Sequence, residues 1–232
     1  MKNILGLIII IALVSCQKDV KNSVSNLSKK DFKVNFSKSD LVDTIFFSDV
    51  ETTKFQDFAI ANLLQKKYEK DSFCIASFRL DFMKNSKLIY SHKIQIKGFD
   101  QGSDWYGNFE FDSIYPSLKT VNVGYPACGY VWNHYLFDFN DNNETLVHQW
   151  QSMSDSGWGT WTKFIAGNNE SFYCKTISYS PKDDNDDVGI EEDLDSIKFE
   201  KINKKWIKTY LTPKDSVYRK IEVSFDDFHK QK

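Results

Sequence analysis

The stretch SFCIASFRLDF, residues 72–82, carries the clearest pattern in this chain. Apolar side chains stand at every second position, and polar or charged ones fill most of the positions between them; the apolar set is Cys74, Ala76, Phe78, Leu80 and Phe82. Such alternation predicts a β-strand with one buried face. Residues 87–97 alternate in the same way, and Asn85-Ser86 favours a turn, so the two stretches predict a hairpin.

Similar signals recur along the rest of the chain. Residues 130–139 and 145–151 predict another hairpin, in which a loop with an even number of residues sets Phe137 opposite His148. In this register His148 lies on the apolar face and His134 on the other. Further strands and one further hairpin, turning at Gly167-Asn168-Asn169, are predicted at residues 32–47, 160–166, 171–179, 197–202, 206–211 and 218–225.

One segment has the period of a helix instead. Across residues 53–70, Thr53 and Gln56 fit a capping box, and Phe58, Ala59 and Leu63 fall near one face. The sequence therefore predicts a β-rich α+β class, mainly an antiparallel sheet or a sandwich of hairpins, with one N-terminal helix at about 53–70.

The N-terminus carries a second kind of signal. Lys2 precedes an apolar run of eleven residues, 4–14, which is short against the roughly 20 residues needed to span a bilayer. The run ends in Leu13-Val14-Ser15-Cys16, two branched aliphatics, a small residue and a cysteine. At these residues the chain resembles a bacterial lipoprotein precursor. The resemblance implies a signal peptide over 1–15, cleavage before Cys16, and acyl chains on the Cys16 thiol.

This resemblance sets the expected location and domain plan. Position 17 is not Asp, so the inner-membrane retention signal of enteric lipoproteins is missing, and Gln17-Lys18-Asp19 is similar to the start of a surface-export signal. We expect an outer-membrane lipid anchor that faces either the periplasm or the exterior. Residues 16–31, rich in Lys, Ser and Asn, predict a flexible tether, and 32–232 a single soluble domain.

Composition narrows the possible partners. The formal net charge is −2, and removal of Lys2 with the signal peptide makes it −3. A chain of this charge lacks the basic footprint of a nucleic-acid binder. Cys74, Cys128 and Cys174 form no CxxC pair that would indicate a zinc or redox site, and an odd number leaves at least one thiol outside any disulfide.

Residues 183–195 are the candidate metal site, because they hold eight acids in thirteen positions. Asp183, Asn185 and Asp187 fall on the first ligand positions of a calcium-binding EF-hand loop. Val188 and Leu194 then stand where the loop needs glycine and glutamate, so a solvated loop between strands is the preferred interpretation. We therefore predict no metal and no cofactor.

Aromatic residues are the most distinctive excess, at 16% of the chain. Trp158 and Trp161 occur in a glycine-containing turn where little neighbouring side chain could cover an indole, and Trp105 and Tyr106 lie in the same aromatic-rich half. Exposed rings of this kind suit a glycan or a protein partner. The competing interpretation is that these rings fill the core of the sheet.

No catalytic motif stands out. Cys128 lies in a glycine-flanked turn, but a nucleophilic thiol needs a nearby histidine or cation. A non-catalytic, membrane-anchored binding domain is therefore the preferred function. Two alternatives stay open: an immunity or inhibitor lipoprotein whose acidic residues 183–195 meet a basic toxin, and a hydrolase in which His134 or His148 meets an Asp or Cys128.

Overall fold

The computed structural model describes residues 34–48, 57–69, 74–99, 102–108, 114–127, 129–140, 145–168, 170–182, 185–214 and 216–230. The signal-peptide prediction, Cys16 and the tether prediction lie outside these residues. The residues from Val34 onward form one compact unit. Among the described residues, no helix has the length and apolarity to cross a membrane.

The first sheet is a four-stranded meander in which chain neighbours pair antiparallel. Its strands are β1 (Val34–Phe46), β2 (Phe58–Tyr68), β3 (Cys74–Lys84) and β4 (Lys87–Lys97). The predicted hairpin of residues 72–82 and 87–97 is confirmed as β3 and β4. Asn85 and Ser86 both have positive φ, 49° and 61°, as a two-residue type I′ turn requires.

The second sheet has nine strands, with β13 pairing β11 beside the main path. The strands are β5 (Asp104–Gly107), β6 (Leu118–Gly124), β7 (Val131–Asp138), β8 (Thr145–Asp155), β9 (Trp158–Ala166), β10 (Ser171–Lys182), β11 (Asn185–Ile202), β12 (Lys205–Tyr210) and β13 (Arg219–Ser224). A short helix, α1 (Phe225–Lys230), follows β13. The β-rich, antiparallel part of the predicted class is therefore confirmed.

Strands β6 and β7 bury both of their faces. On one face Val121 and Phe137 belong to a core cluster shared with β2, β3 and β4 of the first sheet. On the other face Leu118 and Leu136 join a second cluster with Phe172, Cys174, Ile197 and Phe199 of β10 and β11. Successive strand side chains point to opposite faces, so β6 and β7 form the middle of three layers.

The third layer is tied to the middle one by a buried ion pair. Lys201 Nζ of β11 lies 2.6 Å from Asp138 Oδ2 at the end of β7, and both side chains are less than a tenth exposed. Trp206 Nε1 of β12 donates to the same carboxylate oxygen at 2.8 Å. Removing one partner of such a pair leaves an uncompensated buried charge, so an arrangement of the layers that separates Lys201 from Asp138 is disfavoured.

The predicted helix over residues 53–70 is wrong for every residue that the structure describes there. Phe58–Tyr68 is the strand β2, which pairs with β1 on one side and β3 on the other. Ala59, Ala61 and Leu63 all enter the first core cluster at period two. Phe58, on the opposite face, is buried as well, so the buried apolar residues Phe58, Ala59 and Leu63 do not alternate strictly and have the spacing of a helical face. Thr53 and Gln56 lie outside the described residues.

We predict that Phe78→Ala lowers the free energy of unfolding by about 3–5 kcal/mol. Phe78 is fully buried, and its ring meets the edges of Phe99 and Trp105 at centroid distances of 4.9 Å each, so truncation leaves a cavity where these rings meet. Urea unfolding measures the change. The exposed neighbour Lys93 supplies the control: Lys93→Ala should stay within about 0.5 kcal/mol. A loss below about 1 kcal/mol for Phe78→Ala would contradict this core.

Candidate binding groove

A β-bulge in β8 determines which side chains of that strand share a face with those of β7. Leu136 of β7 pairs with His148, but Phe137 pairs with Leu146, so Val147 is an extra residue on β8. The predicted register, which set Phe137 opposite His148, is therefore wrong. Because a shift of one residue reverses the faces of a strand, the bulge brings His148 to the same face as His134.

Two histidine rings stack on one tryptophan. Trp150 pairs with His134 across the ladder, and their rings stack at 5.0 Å with an interplanar angle of 12°. His148 stacks on the same indole at 5.6 Å and 20°. Phe164 of β9 meets Trp150 edge-on at 5.1 Å. Aromatic contacts of this kind contribute about 0.5–1.5 kcal/mol each beyond burial, so the group forms a packed wall.

Hydrogen bonds fix the tautomer of His134. Asn122 Nδ2 donates to the carbonyl oxygen of Tyr106 and to Thr120 Oγ1, both at 3.0 Å, so Asn122 Oδ1 is left as an acceptor. His134 Nδ1 lies 2.7 Å from that oxygen and therefore donates to it. His134 Nε2, 2.6 Å from Ser152 Oγ, then accepts the serine proton.

This chain of serine, histidine and amide has the order of a hydrolase site. The hydrolase alternative required His134 near an Asp or Cys128; the structure places Ser152 and Asn122 there instead, and Cys128 lies outside the described residues. Burial lowers the pKa of His134 to about 4, which makes the imidazole a weak base at neutral pH. Asn122 carries no charge that would stabilise an imidazolium. The arrangement therefore suits positioning better than proton transfer.

His148 is also held neutral. Burial and the nearby Lys208 ammonium lower its pKa to about 3. Lys208 Nζ lies 3.5 Å from His148 Nδ1 and 4.6 Å from the centre of the Tyr210 ring. The ammonium of β12 is thus held against the wall of β8 by a histidine nitrogen and an aromatic face.

One edge of β8 is left without a ladder in the part of the chain that the structure describes. Strand β8 pairs with β7 along its length from Thr145 to Met153. It pairs with β9 only at Met153, Ser154 and Asp155, next to the turn. The two strands then separate, so the second edge of residues 145–152 has no backbone partner among the described residues.

A groove of about 760 Å³ runs along this edge. Six consecutive residues of β8, 146–151, line it. Because neighbouring strand residues face opposite sides, a cavity that contacts six in a row reaches both faces of the strand, as it does where it runs past the unpaired edge. The remaining lining comes from three other parts of the fold: Gln95 and Lys97 of β4, Asn133, His134 and Tyr135 of β7, and Thr176, Asp195, Ile197, Lys208, Tyr210 and Lys214 on the β10–β12 side.

The groove is polar and carries positive charge. Its charged lining side chains are three lysines, Lys97, Lys208 and Lys214, against one aspartate, Asp195. A second cavity of about 310 Å³ shares Lys97, Asn133 and Gln151 with it and extends toward Tyr125. The two cavities are therefore adjacent.

The aromatic residues singled out in the sequence lie elsewhere, and three of them are covered. Trp158 stacks on Tyr179 at 4.6 Å and contacts Phe225. Trp161 packs against Phe228 at 5.3 Å. Trp158 and Trp161 are partly buried, because α1, which the sequence does not predict, packs against them beside a third core cluster. Their role in binding stays a prediction.

Trp105 and Tyr106 have opposite environments on β5. Trp105 is 6% exposed and packs its ring against Phe78, so it belongs to the core. Tyr106 is 39% exposed, and its ring lies 5.7 Å from that of Trp132. Of the four predicted binding residues, Tyr106 alone has a substantially open side chain, and it does not line the groove.

The acidic segment is a strand where the structure describes it. The expected loop from residue 185 onward is wrong, because Asn185–Ile202 forms β11. Arg219 Nη1 lies 2.6 Å from Glu191 and 3.3 Å from the buried Asp193. Asp183 and the side chain of Asn185 are not among the described residues, and Asp187 is exposed. No group of three or more His, Cys, Asp or Glu side chains among the described residues could hold a metal.

The cysteines contribute no reactive site where they are described. Cys74 and Cys174 are buried and carry reduced thiols, the first in the cluster shared with the first sheet and the second in the cluster beneath the third layer. Burial raises the pKa of Cys174 to about 12. A thiol in this state is a poor nucleophile.

We predict that acid weakens the fold through His134. Its folded pKa, about 4, lies below the unfolded value of about 6.5. Between these values the unfolded state binds more protons, so the free energy of unfolding falls as the pH is lowered from about 6.5 toward 4. His134→Gln should remove up to about 1.4 kcal/mol per pH unit from this slope, measured by urea unfolding between about pH 7 and 5. Gln149→Ala, on the same strand pair, is the control; an unchanged slope in His134→Gln would contradict the burial of this ring.

Comparison with known proteins adds no relative to this geometry. No protein-family model matches the chain. No curated protein matches it, and no solved structure does.

Proposed function

We propose that this chain is a cell-envelope lipoprotein, anchored through an acylated Cys16, whose β-rich domain binds a ligand in the groove along β8 without catalysing a reaction. The groove is the observation that supports ligand binding. Its volume of about 760 Å³ lies within the range of about 300–1,000 Å³ that ligand sites occupy. The lipobox Leu13-Val14-Ser15-Cys16 supports the anchor.

The chemistry of the lining supports recognition by hydrogen bonds and charge. Gln95, Gln149 and Gln151 present amides, which both donate and accept, and Lys97 and Lys208 present cations from opposite walls. Groups of this kind suit a glycan or a segment of a protein partner. The net charge of the chain, −2, supports neither a nucleic-acid ligand nor general attraction to polyanions.

Binding is preferred over hydrolysis for a physical reason. The serine beside His134 would need the imidazole to accept its proton, and the buried site disfavours the charged imidazolium that would form. No cofactor is proposed.

The inhibitor alternative has less support than groove binding. It needs the acids of residues 183–195 to be available for a basic toxin, yet Glu191 pairs with Arg219, Glu192 with Lys220, and Asp193 with Lys175. Acids with intramolecular cations gain less from a basic partner.

The anchor has a direct test. Cells grown with an alkyne-tagged palmitate should incorporate the label into the wild-type chain and place the protein in the outer-membrane fraction. Cys16→Ser should lose the label and leave the membrane, because one thiol carries the lipid that holds the protein there. Intact-mass analysis of the purified wild-type chain completes the test: a chain that begins at Met1 and carries no acyl group would contradict the anchor.

The binding site has a test that is independent of the anchor. On arrays of glycans and of peptides, the full chain should bind one class, and the double variant Lys97→Glu with Lys208→Glu should bind about tenfold more weakly, or worse, because it reverses the charge of both walls. Lys93→Glu with Lys205→Glu is the matched control, since both lysines are exposed, neither lines the groove, and the net charge changes equally. Equal loss in the two double variants would place the ligand outside the groove.

A further inference from the structure

We infer that the ligand of the groove is an extended, acidic segment of a partner protein, which pairs with the open edge of β8 as an additional strand. The inference rests on the proposed function and names the ligand class for that same groove. It depends on the backbone of β8, on the histidine rings that stack on Trp150, and on the charge of the walls.

The backbone is the first argument. Residues 145–152 of β8 have a ladder on one side only among the described residues. Every second residue of an antiparallel strand directs both its N–H and its C=O to the unpaired side. A row of such groups is a template for another strand, and strand addition is a recurring mode of peptide recognition. The groove follows this row for six residues.

The edge of β8 differs in position from an ordinary exposed sheet edge. It lies in a cavity with walls from β4 on one side and from β11 and β12 on the other. Recessed walls limit access to a single strand and keep the edges of flat neighbouring sheets away. The edge can therefore stay open without inviting general aggregation.

The aromatic wall argues against a sugar. Sugar rings bind tryptophan by lying flat on an uncovered face of the indole, but Trp150 has His134 stacked within 5.0 Å and His148 within 5.6 Å. Both histidine rings are nearly parallel to the indole. These histidine rings already cover part of the indole surface, so Trp150 offers a smaller flat face to a sugar ring than an uncovered tryptophan does.

The charge of the walls selects the sequence of the peptide. Three lysines face one aspartate along the groove, so acidic side chains are favoured and basic ones are disfavoured. The chain's own segment 17–31 holds four lysines and two aspartates and thus has the same sign as the groove. A separate, acidic partner is accordingly the better occupant.

Selection of peptides from a random library tests the inference. The full chain, purified in detergent, is used to select from phage-displayed decapeptides, with the Lys97→Glu/Lys208→Glu variant in the counter-selection. We expect enriched peptides with net negative charge and no central proline, because proline lacks the N–H that a ladder needs. Synthetic copies should lose about tenfold in affinity when alternate backbone nitrogens are methylated in one register, and little in the other.

The outcomes separate the inference from the proposed function. Enriched peptides that are neutral or basic, or equal losses in both methylation registers, would overturn strand pairing with an acidic segment. Glycan binding that depends on Lys97 and Lys208, without any peptide enrichment, would overturn the inference and leave groove binding intact. Binding of neither class by the folded chain would overturn both.

Discussion

The burial of both faces of β6 and β7 is the constraint on which the rest of this structure depends. Phe137 contributes to the cluster shared with the first sheet, and its neighbour Leu136 to the cluster beneath β10 and β11. A strand pair that is apolar on both sides must be covered twice. The long second sheet supplies one cover by turning back between β8 and β9, and this turn separates the two strands. The open edge of β8, and with it the groove, is a geometric consequence of covering the middle layer.

The hydrogen bonds of the buried His134 shape the groove wall. Asn122 and Ser152 form hydrogen bonds with the two ring nitrogens of His134, so the ring needs no water partner. Buried polar groups cost free energy unless they are hydrogen-bonded, so these two hydrogen bonds allow His134 to be buried against Trp150. Lys201 and Asp138 do the same for charge between the layers. The wall is consequently packed before any ligand arrives, which lowers the entropy lost on binding.

Sequence reasoning predicted best where a strand has one buried face. The alternation of residues 72–82 and the turn at Asn85-Ser86 defined β3 and β4 because solvent covers the other side of that hairpin. It did not predict β6, because LKTVNVG is buried almost throughout and a strand buried on both faces shows no alternation of apolar and polar residues. It failed for β2 because a bulge and two pairing neighbours overrode a local helical pattern. The site could be predicted even less well than the fold. One extra residue at Val147 reverses the face of His148. The helix that packs against Trp158 lies about 70 residues further along the chain.

Amide hydrogen exchange, measured residue by residue on the full chain without ligand, tests the open edge of β8 most directly. The account predicts an alternating pattern over residues 145–152, in which amides directed to β7 exchange slowly and those directed to the groove exchange faster by orders of magnitude. The amides of residues 133–138 of β7, which are paired on both sides, should all be slow. Uniform protection along 145–152 would show that the edge already has a partner strand, and it would contradict the site on which the proposed function rests.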